Sequence, residues 1–271
     1  MNQRQPQKQV DASLYDENYF AAHCRGQEQA GEIGTGELHE IFRRALACAV
    51  PKPGERVLDY GCGRGELVYE CARRGCFVTG MDVADAAIEW TRKTVSSLPE
   101  EVRNRVELRT CRAEDVRLEP DSLDVIFMID VIEHLYDWEL ELLMPRIKKA
   151  LKQNGRLIIQ TPNLLYENFF YPLKRVLEFP FTLIKELSRV IRRTGKRKNA
   201  REFFTKLFKF QFHDDPVYLK VHVNVQTPGS LGRMLTRYGF QSSIGCVDHS
   251  KNILSILTKR WTGRTIDAVA R

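Results

Sequence analysis

The sequence predicts an α/β fold built on a doubly wound, mostly parallel sheet of seven strands. Short apolar runs alternate with amphipathic segments along residues 56–162, and the first run turns into its helix through closely spaced glycines. The runs at 123–130 and 155–162 are almost continuously apolar, which is typical of parallel strands covered on both faces. We also expect a helical N-terminal cap and a helical insert after the fifth strand.

The predicted elements follow in chain order. Residues 1–50 form a polar tail and a helical cap, whose helix covers 37–50 and stops at Pro51. Residues 51–271 form one domain, which contains the insert at about 163–221. The predicted strands are 57–58, 77–81, 106–111, 123–130, 155–162, 240–247 and 252–258, and the helices between and after them include 84–97, 137–151 and 227–238.

The turn after the first strand has the composition of a small-molecule site. Gly61, Gly63 and Gly65 follow the acid that ends the strand, Asp59. Glycine permits a sharp turn and lets a ligand lie against the backbone. Asp82 ends the second strand, where a carboxylate is placed to bond the two hydroxyls of a ribose.

The acids around this turn argue against a dinucleotide. Glu66 stands where the dinucleotide fingerprint requires a third glycine, and Asp59 lies where the pyrophosphate would sit. A carboxylate there repels phosphate and suits an ammonium or sulfonium group. The ligand predicted from these residues is a nucleoside with a cationic tail, and the alternative is a tight turn that binds nothing.

These residues carry a resemblance to a known family. Asp59-x-Gly61-x-Gly63-x-Gly65, with Asp82 seventeen residues after the last glycine, resembles the first two motifs of the class I S-adenosylmethionine-dependent methyltransferases. The segment 130–134, Asp-Val-Ile-Glu-His, resembles the fourth motif in its ubiquinone-biosynthesis O-methyltransferase form. The resemblance implies a Rossmann-like fold, S-adenosyl-L-methionine as cofactor and an antiparallel hairpin of the last two strands.

The resemblance also implies a set of site residues. The cofactor-binding positions are Asp59, Gly61, Cys62, Gly63, Gly65, Asp82, Val83, Ala113, Glu114, Met128 and Ile129. Arg112 replaces an acid that accepts from the adenine amino group in many relatives, so the backbone at Ala113, with Glu114 beside it, is the candidate for this contact. The alternative is a solvated turn at the rim of the sheet. Family caps close over the cofactor, so Tyr15 or Tyr19 is a candidate for the pocket wall, or else packs the cap on the core.

Three residues are candidates for chemistry on the methyl acceptor. Asp130 and His134 flank the expected meeting point of acceptor and methyl group, and an imidazole with a near-neutral pKa takes a proton from an attacking hydroxyl. His222, which related sequences carry in a similar run, reaches the same region. A helix-capping or packing role is the alternative for His134, and rim structure is the alternative for His222 and for the segment 161–163.

Composition limits the cellular setting. The seven cysteines are scattered, without a Cys-x-x-Cys pair or a His/Cys cluster of zinc spacing, so we expect reduced core cysteines and predict no metal site. Because the first residues are polar, we expect no signal peptide. Because no apolar run is long enough, we expect no membrane span. The expected location is cytoplasmic, with peripheral attachment to the inner face of the membrane left open.

The basic character of the chain lies in the insert. The net charge is +7, whereas residues 174–209 alone carry twelve basic and three acidic residues, a net +9. Leu173, Val176 and Leu177 share one predicted helical face, and 183–191 presents a second apolar face after Pro180, opposed by basic residues. This pattern favours an anionic membrane surface at 173–212, with core or dimer packing and RNA binding as alternatives.

The sequence therefore predicts an S-adenosylmethionine-dependent methyltransferase. We expect O-methylation of a lipid-linked, quinone-like or glycan acceptor by direct displacement, aided by a general base. The alternatives are an RNA or small-metabolite methyltransferase and a cofactor-binding membrane adaptor without catalysis. An NAD-dependent reductase is disfavoured by Asp59 and Glu66.

Overall fold

A computed structural model describes residues 8–22, 38–191, 216–247 and 263–271 of the chain. Its centre is a seven-stranded sheet in the order β3-β2-β1-β4-β5-β7-β6. The strands are β1 (Arg56–Tyr60), β2 (Phe77–Asp82), β3 (Val106–Thr110), β4 (Leu123–Ile129), β5 (Leu151–Pro162), β6 (Ser242–Val247) and β7 (Thr265–Ala270). The first five strands pair in parallel, and β7 runs antiparallel to both of its neighbours.

Helices cover both faces of the sheet. They are α1 (Glu17–Ala22), α2 (Glu40–Ala49), α3 (Glu66–Arg73), α4 (Asp85–Val95), α5 (Glu100–Arg103), α6 (Asp137–Ala150), α7 (Tyr171–Ile191), α8 (Pro216–Val221) and α9 (Pro228–Arg237). Short 3₁₀ turns lie at Ala12–Leu14, Ala113–Asp115 and Ile132–His134, and a π-helical turn at Tyr166–Phe170 precedes α7.

Alternation along the central strands divides the core into two layers. Ile126 and Met128 of β4 pack with α6 and α9 on one face. Val125 and Phe127 point the other way and pack with α2, α3 and α4. Both layers are buried, which explains why this strand reads as a continuous apolar run in the sequence.

The start of the last strand differs from its predicted position. The segment 252–258 lies outside the described residues, and the strand that pairs with β6 is β7, Thr265–Ala270. Because β7 lies between β5 and β6, both of its edges are hydrogen-bonded, and Ile266, Ala268 and Ala270 are buried. The antiparallel arrangement predicted for the end of the chain is confirmed, but with a different strand.

The described part of the insert also differs in one respect from the prediction. The sequence suggested two apolar helical faces, one before and one after Pro180. In the structure a single helix, α7, runs through Pro180. A proline inside a helix removes one backbone hydrogen bond without necessarily ending the helix. Among the described helices, none has the length and apolar character needed to cross a membrane.

Candidate functional site

The glycine turn brings the ends of β1, β2 and β4 together. The N–H groups of Gly61 and Cys62 donate to the carbonyl of Met81, at 2.7 and 3.0 Å. Gly61 has φ +79°, and a Cβ at this position would overlap Val131 Cγ2. Only glycine therefore fits this left-handed position, where the backbone passes directly beneath the residues that follow β4.

Asp82 is held at the end of β2 by the backbone. Its Oδ2 accepts from the N–H of Gly63 and its Oδ1 from the N–H of Ala84, both at 3.0 Å. Burial raises the pKa of this carboxyl, and the backbone hydrogen bonds oppose the rise. The carboxylate is thus oriented toward the glycine turn, in the position expected of a ribose-binding acid.

These strand ends open into a cavity of about 440 Å³. One wall is formed by residues 8–22, which we call the N-terminal strap, through Gln9, Tyr15, Tyr19 and Phe20. The opposite end is lined by Val217, Tyr218, Val221 and His222, at and just after α8. The cavity therefore runs from the glycine turn to α8 and His222, where the predicted insert leads back to the core.

The end of the cavity at the glycine turn, where the sequence predicts the methyl donor and which we call the donor end, is acidic. Asp59 is 3% exposed, and burial raises its pKa to about 8, with the charges of Glu66 and Asp82 adding to the rise. Glu66 is itself buried and paired with Arg64, whose Nη2 lies 2.6 Å from Glu66 Oε1. Asp59, Glu66 and Asp82 line this end of the cavity together with a single arginine, Arg64, so the donor end favours a cationic ligand over a phosphate.

The 3₁₀ turn at Ala113–Asp115, which is the predicted adenine rim, is held by hydrogen bonds from α6. Arg146 of α6 donates through Nη1 to the carbonyls of Ala113, Glu114 and Val116, at 2.9, 2.9 and 3.1 Å. Ala113 lines the cavity, whereas the Glu114 carboxylate accepts from the side-chain amide of Gln9 in the strap. Arg112 also donates to Gln9, at 2.8 Å.

The other end of the cavity, where the sequence predicts the methyl acceptor and which we call the acceptor end, contains the predicted catalytic residues Asp130, His134 and His222. Asp130 follows β4 in a left-handed conformation, φ +53°, which aspartate adopts more readily than most residues other than glycine and asparagine. The imidazole of His134 lies edge-on to that of His222, with centroids 4.8 Å apart. Burial lowers the pKa of His134 to about 4, so this ring is neutral at physiological pH.

Most of the predicted site residues meet at this cavity. The residues that line it are Asp59, Gly61, Cys62, Gly63, Asp82, Val83, Ala113, Ile129, Asp130, His134 and His222. Three predicted cofactor residues are not among its lining residues. Gly65 caps α3 and abuts Thr91, Met128 packs in the core beside α6, and Glu114 turns to the strap.

Other positions of interest have structural settings. The buried thiol of Cys62 lies 3.6 Å from Thr91 Oγ1, and burial holds its pKa well above its ordinary value, so it contributes to the wall as a neutral group. From the segment 161–163, Pro162 lines the cavity and Thr161 donates to Glu133 Oε2 at 2.9 Å.

Sequence reasoning missed several residues that shape the site. Arg64, Arg146 and Gln9 make contacts between segments far apart in the chain, which local periodicity does not report. In the sequence, Glu133 is part of the segment that resembles the fourth motif, but no role was predicted for it. It is fully buried, and its backbone carbonyl accepts from the N–H groups of Val223 and Asn224, which brings the His222 segment to the site.

Glu133, His134 and His222 also form a group with metal-binding side chains. One potential ligand atom from each lies within 4.8 Å of the others. Sequence spacing does not predict this group because His222 reaches it only through the return of the insert.

The sheet order, the glycine turn with its acids and the acidic cavity define a class I, Rossmann-like, S-adenosylmethionine-dependent methyltransferase. A family model described as "Methyltransferase domain" matches residues 35–242, and the chain belongs to that family. The chain therefore contains a methyltransferase domain, and S-adenosyl-L-methionine is the cofactor that its site fits.

Relatives match the chain over part of its length. It is similar to "Ubiquinone biosynthesis O-methyltransferase, mitochondrial" of Bos taurus, 33% identical over 42% of this chain and 30% of that protein. The protein of the same name from Schizosaccharomyces pombe is 35% identical over 46% of this chain and 42% of that protein. The chain thus spans less than half the length of these curated relatives.

Solved structures support the fold alone. A Haloferax volcanii complex of the Trm112 methyltransferase activator with a methyltransferase contains a similar chain, with a TM-score of 0.57 and 12% identity over 94% of this chain and 97% of that one. An S-adenosylmethionine-dependent methyltransferase from Mesorhizobium loti has a TM-score of 0.55 and 16% identity, over 86% and 98%.

The cavity residues fit this cofactor. The buried acids Asp59, Glu66 and Asp82 supply negative charge for a ligand with ammonium and sulfonium groups, and Asp82 is oriented for ribose hydroxyls. When bound, the cofactor supplies an electrophilic methyl group. The chain itself supplies the binding surface and the orientation.

Proposed function

We propose that the protein methylates a hydroxyl oxygen of an amphipathic, lipid-linked acceptor. The observation that carries the proposal is a neutral imidazole, His134, at the end of the cavity opposite the acidic donor end. An oxygen nucleophile must lose its proton during transfer, and a neutral imidazole is able to accept it. The similarity to O-methyltransferases over nearly half of the chain supports the choice of oxygen.

The chain's main contribution to rate is positioning. Holding two reactants in line contributes on the order of 7–11 kcal/mol in well-oriented systems. Proton transfer to a positioned base adds about 10²–10⁴-fold. The sequence alone suggested a base with near-neutral pKa, whereas burial lowers the pKa of His134, which keeps the ring unprotonated at the cost of basicity.

The exposed face of α7 supports an amphipathic acceptor at a lipid surface. Leu173, Val176, Leu177, Phe181 and Ile184 are 44–74% exposed. They fall on one stripe of the helix, while Lys174, Arg175 and Glu178 lie outside it and are less exposed. Apolar side chains that face outward from a segment with net positive charge suit an anionic membrane surface.

Methyl transfer is tested with radiolabelled S-adenosylmethionine and three acceptor preparations. These are a catechol with a long alkyl chain, a bacterial lipid extract and an RNA extract. We expect label in the catechol or the lipid fraction, and at least ~10²-fold less label with His134→Gln at unchanged cofactor affinity. Label only in RNA would favour the nucleic-acid alternative, and cofactor binding without transfer would favour the non-catalytic adaptor.

Membrane attachment is tested separately by flotation with vesicles of phosphatidylcholine, with and without phosphatidylglycerol. We expect flotation with the anionic vesicles and its loss in Phe181→Ser. Phe77→Ser is the matched control, because Phe77 is also an exposed phenylalanine, 49% exposed, at the start of β2 and away from α7. Equal loss in both variants, or no flotation of the wild type, would contradict lipid binding through α7.

A further inference from the structure

The acids at the donor end match only part of the charge of S-adenosylmethionine. Its amino-acid tail has two positive groups, the ammonium and the sulfonium, and one negative group, the carboxylate. Asp59, Glu66 and Asp82 suit the positive groups and repel the carboxylate. Binding of the whole tail therefore calls for a cationic side chain in the same cavity.

Three arginines supply the cationic side chains among the described residues that line the cavity. They are Arg64, Arg112 and Arg264. Arg112 follows β3 beside the predicted adenine rim, and Arg264 immediately precedes β7. Arg64 lies in the glycine turn, between β1 and α3. Each arginine thus belongs to a different strand end.

The order of the strands selects Arg64 as the partner of the tail. Strands β3, β2 and β1 are consecutive neighbours in the sheet. The predicted adenine rim follows β3, and Asp82, the predicted ribose acid, ends β2. The tail is attached on the far side of the ribose from the adenine, so we expect it at the end of β1, where the glycine turn carries Arg64.

The guanidinium of Arg64 is buried and held in place from two sides. Its side chain is 1% exposed, and its Nε and Nη2 donate to Oε1 of Glu66 at 2.9 and 2.6 Å. Its Nη1 donates to the carbonyl of Phe20 in the N-terminal strap at 3.3 Å. A charge shielded from water acts more strongly on a ligand than an exposed charge does. A guanidinium is also the group that binds carboxylates through two N–H donors at once.

We propose that Arg64 binds the carboxylate of the cofactor's amino-acid tail. The acids of the donor end and this arginine then recognise the opposite charges of the same tail. Arg64 becomes the residue that selects S-adenosylmethionine over its decarboxylated form. Its contact with Phe20 places this carboxylate subsite where the strap meets the glycine turn. The proposal concerns the cofactor alone and does not depend on which atom of the acceptor is methylated.

Decarboxylated S-adenosylmethionine provides the test, because it lacks only the carboxylate and carries one more net positive charge. If the acids alone selected the ligand, this form would bind at least as tightly as S-adenosylmethionine. With Arg64 as the carboxylate's partner, the wild type should bind it about 10- to 100-fold more weakly. Calorimetric titration without any acceptor measures both dissociation constants. Equal or tighter binding of the decarboxylated form would overturn the proposal.

Variants assign the discrimination to the residue. Arg64→Met should bring the two dissociation constants to within about threefold of each other. Arg112→Met is the matched control, because Arg112 also lines the cavity and also bonds the strap, through Gln9, but at the adenine rim. It should change both constants by the same factor.

A second variant covers the case in which Arg64→Met does not fold, since it leaves Glu66 buried without its arginine. Arg64→Lys keeps the positive charge and loses the planar fork, so it should reduce the ratio of the two constants by at least about threefold. Thermal melts identify the folded variants. An unchanged ratio in a folded Arg64 variant, or an equal loss of discrimination in Arg112→Met, would overturn the assignment.

Discussion

The close approach of Gly61 to Val131 makes a quantitative prediction. Gly61→Ala should be destabilising for two separable reasons. At φ +79° a Cβ costs about 1–2 kcal/mol, because the left-handed region crowds it against the following carbonyl. In addition, the new methyl group would overlap Val131 Cγ2, and overpacking of this kind costs about 1–3 kcal/mol. We therefore expect a loss of ~2–5 kcal/mol in the free energy of unfolding.

Val131→Ala separates the two contributions. It removes Cγ1 and Cγ2 and leaves Val131 Cβ as the nearest atom, at 3.5 Å from the carbon of the new methyl group, which is an ordinary contact. The double variant should therefore be more stable than the sum of the single changes by about 1–3 kcal/mol, while the cost of the backbone conformation remains. Affinity for S-adenosylmethionine should recover only in part, because the ligand also requires an open backbone here.

Urea unfolding of the four proteins measures this coupling, and calorimetric titration with S-adenosylhomocysteine measures the binding. Equal slopes of the unfolding curves are needed for the comparison, since a changed slope reports a changed denatured state. Additivity within ~0.5 kcal/mol would refute the steric argument, because independent sites behave in that way. Unchanged stability in Gly61→Ala would refute both parts.

Three further predictions concern charge and the adenine rim. Arg146→Met should raise the dissociation constant for S-adenosylmethionine about tenfold by freeing the 3₁₀ turn at Ala113, with a stability loss of ~1–3 kcal/mol in the same urea assay. Because the pKa of His134 is lowered in the folded protein, the unfolded chain takes up a proton at this residue at a higher pH than the folded chain does. As pH decreases from 6.5 to about 4, wild-type stability in thermal melts should therefore fall more steeply than that of His134→Gln. The raised pKa of Asp59 has the opposite effect on stability, which should be lost as pH rises toward 8. Asp59→Asn should therefore raise Tm above pH 8 in thermal melts and weaken S-adenosylmethionine binding in calorimetry.

The parallel half of the fold was predictable because its signals are local. The strands β1, β2 and β4 are short apolar runs, and the acids at their ends mark the ligand edge without any long-range knowledge. The run predicted for the last strand, 252–258, lies outside the described residues. The strand at Thr265–Ala270 was not predicted, because its place in the sheet follows from its pairing with both β5 and β6.

The acceptor side of the site was less predictable for a related reason. The hydrogen bonds between Gln9 and Glu114 and between Tyr15 and His134 join residues 105 and 119 positions apart. Periodicity and motif spacing describe neighbours in sequence, so Tyr15 was a candidate for the pocket wall without an assigned partner. The burial that lowers the pKa of His134 is likewise a property of the assembled cavity.

The distribution of acids in the cavity connects these observations to the reaction. Asp59, Glu66 and Asp82 surround the donor end, and Glu133 lies beside His134 at the other. A cationic cofactor reduces the cost of ionising Asp59, so we expect its binding to release a proton. Under the proposed function, the positive charge leaves the donor end during transfer and forms on His134, next to the buried carboxyl of Glu133 that accepts from Thr161. The proposal thus places a carboxyl group beside the cationic group both before and after transfer.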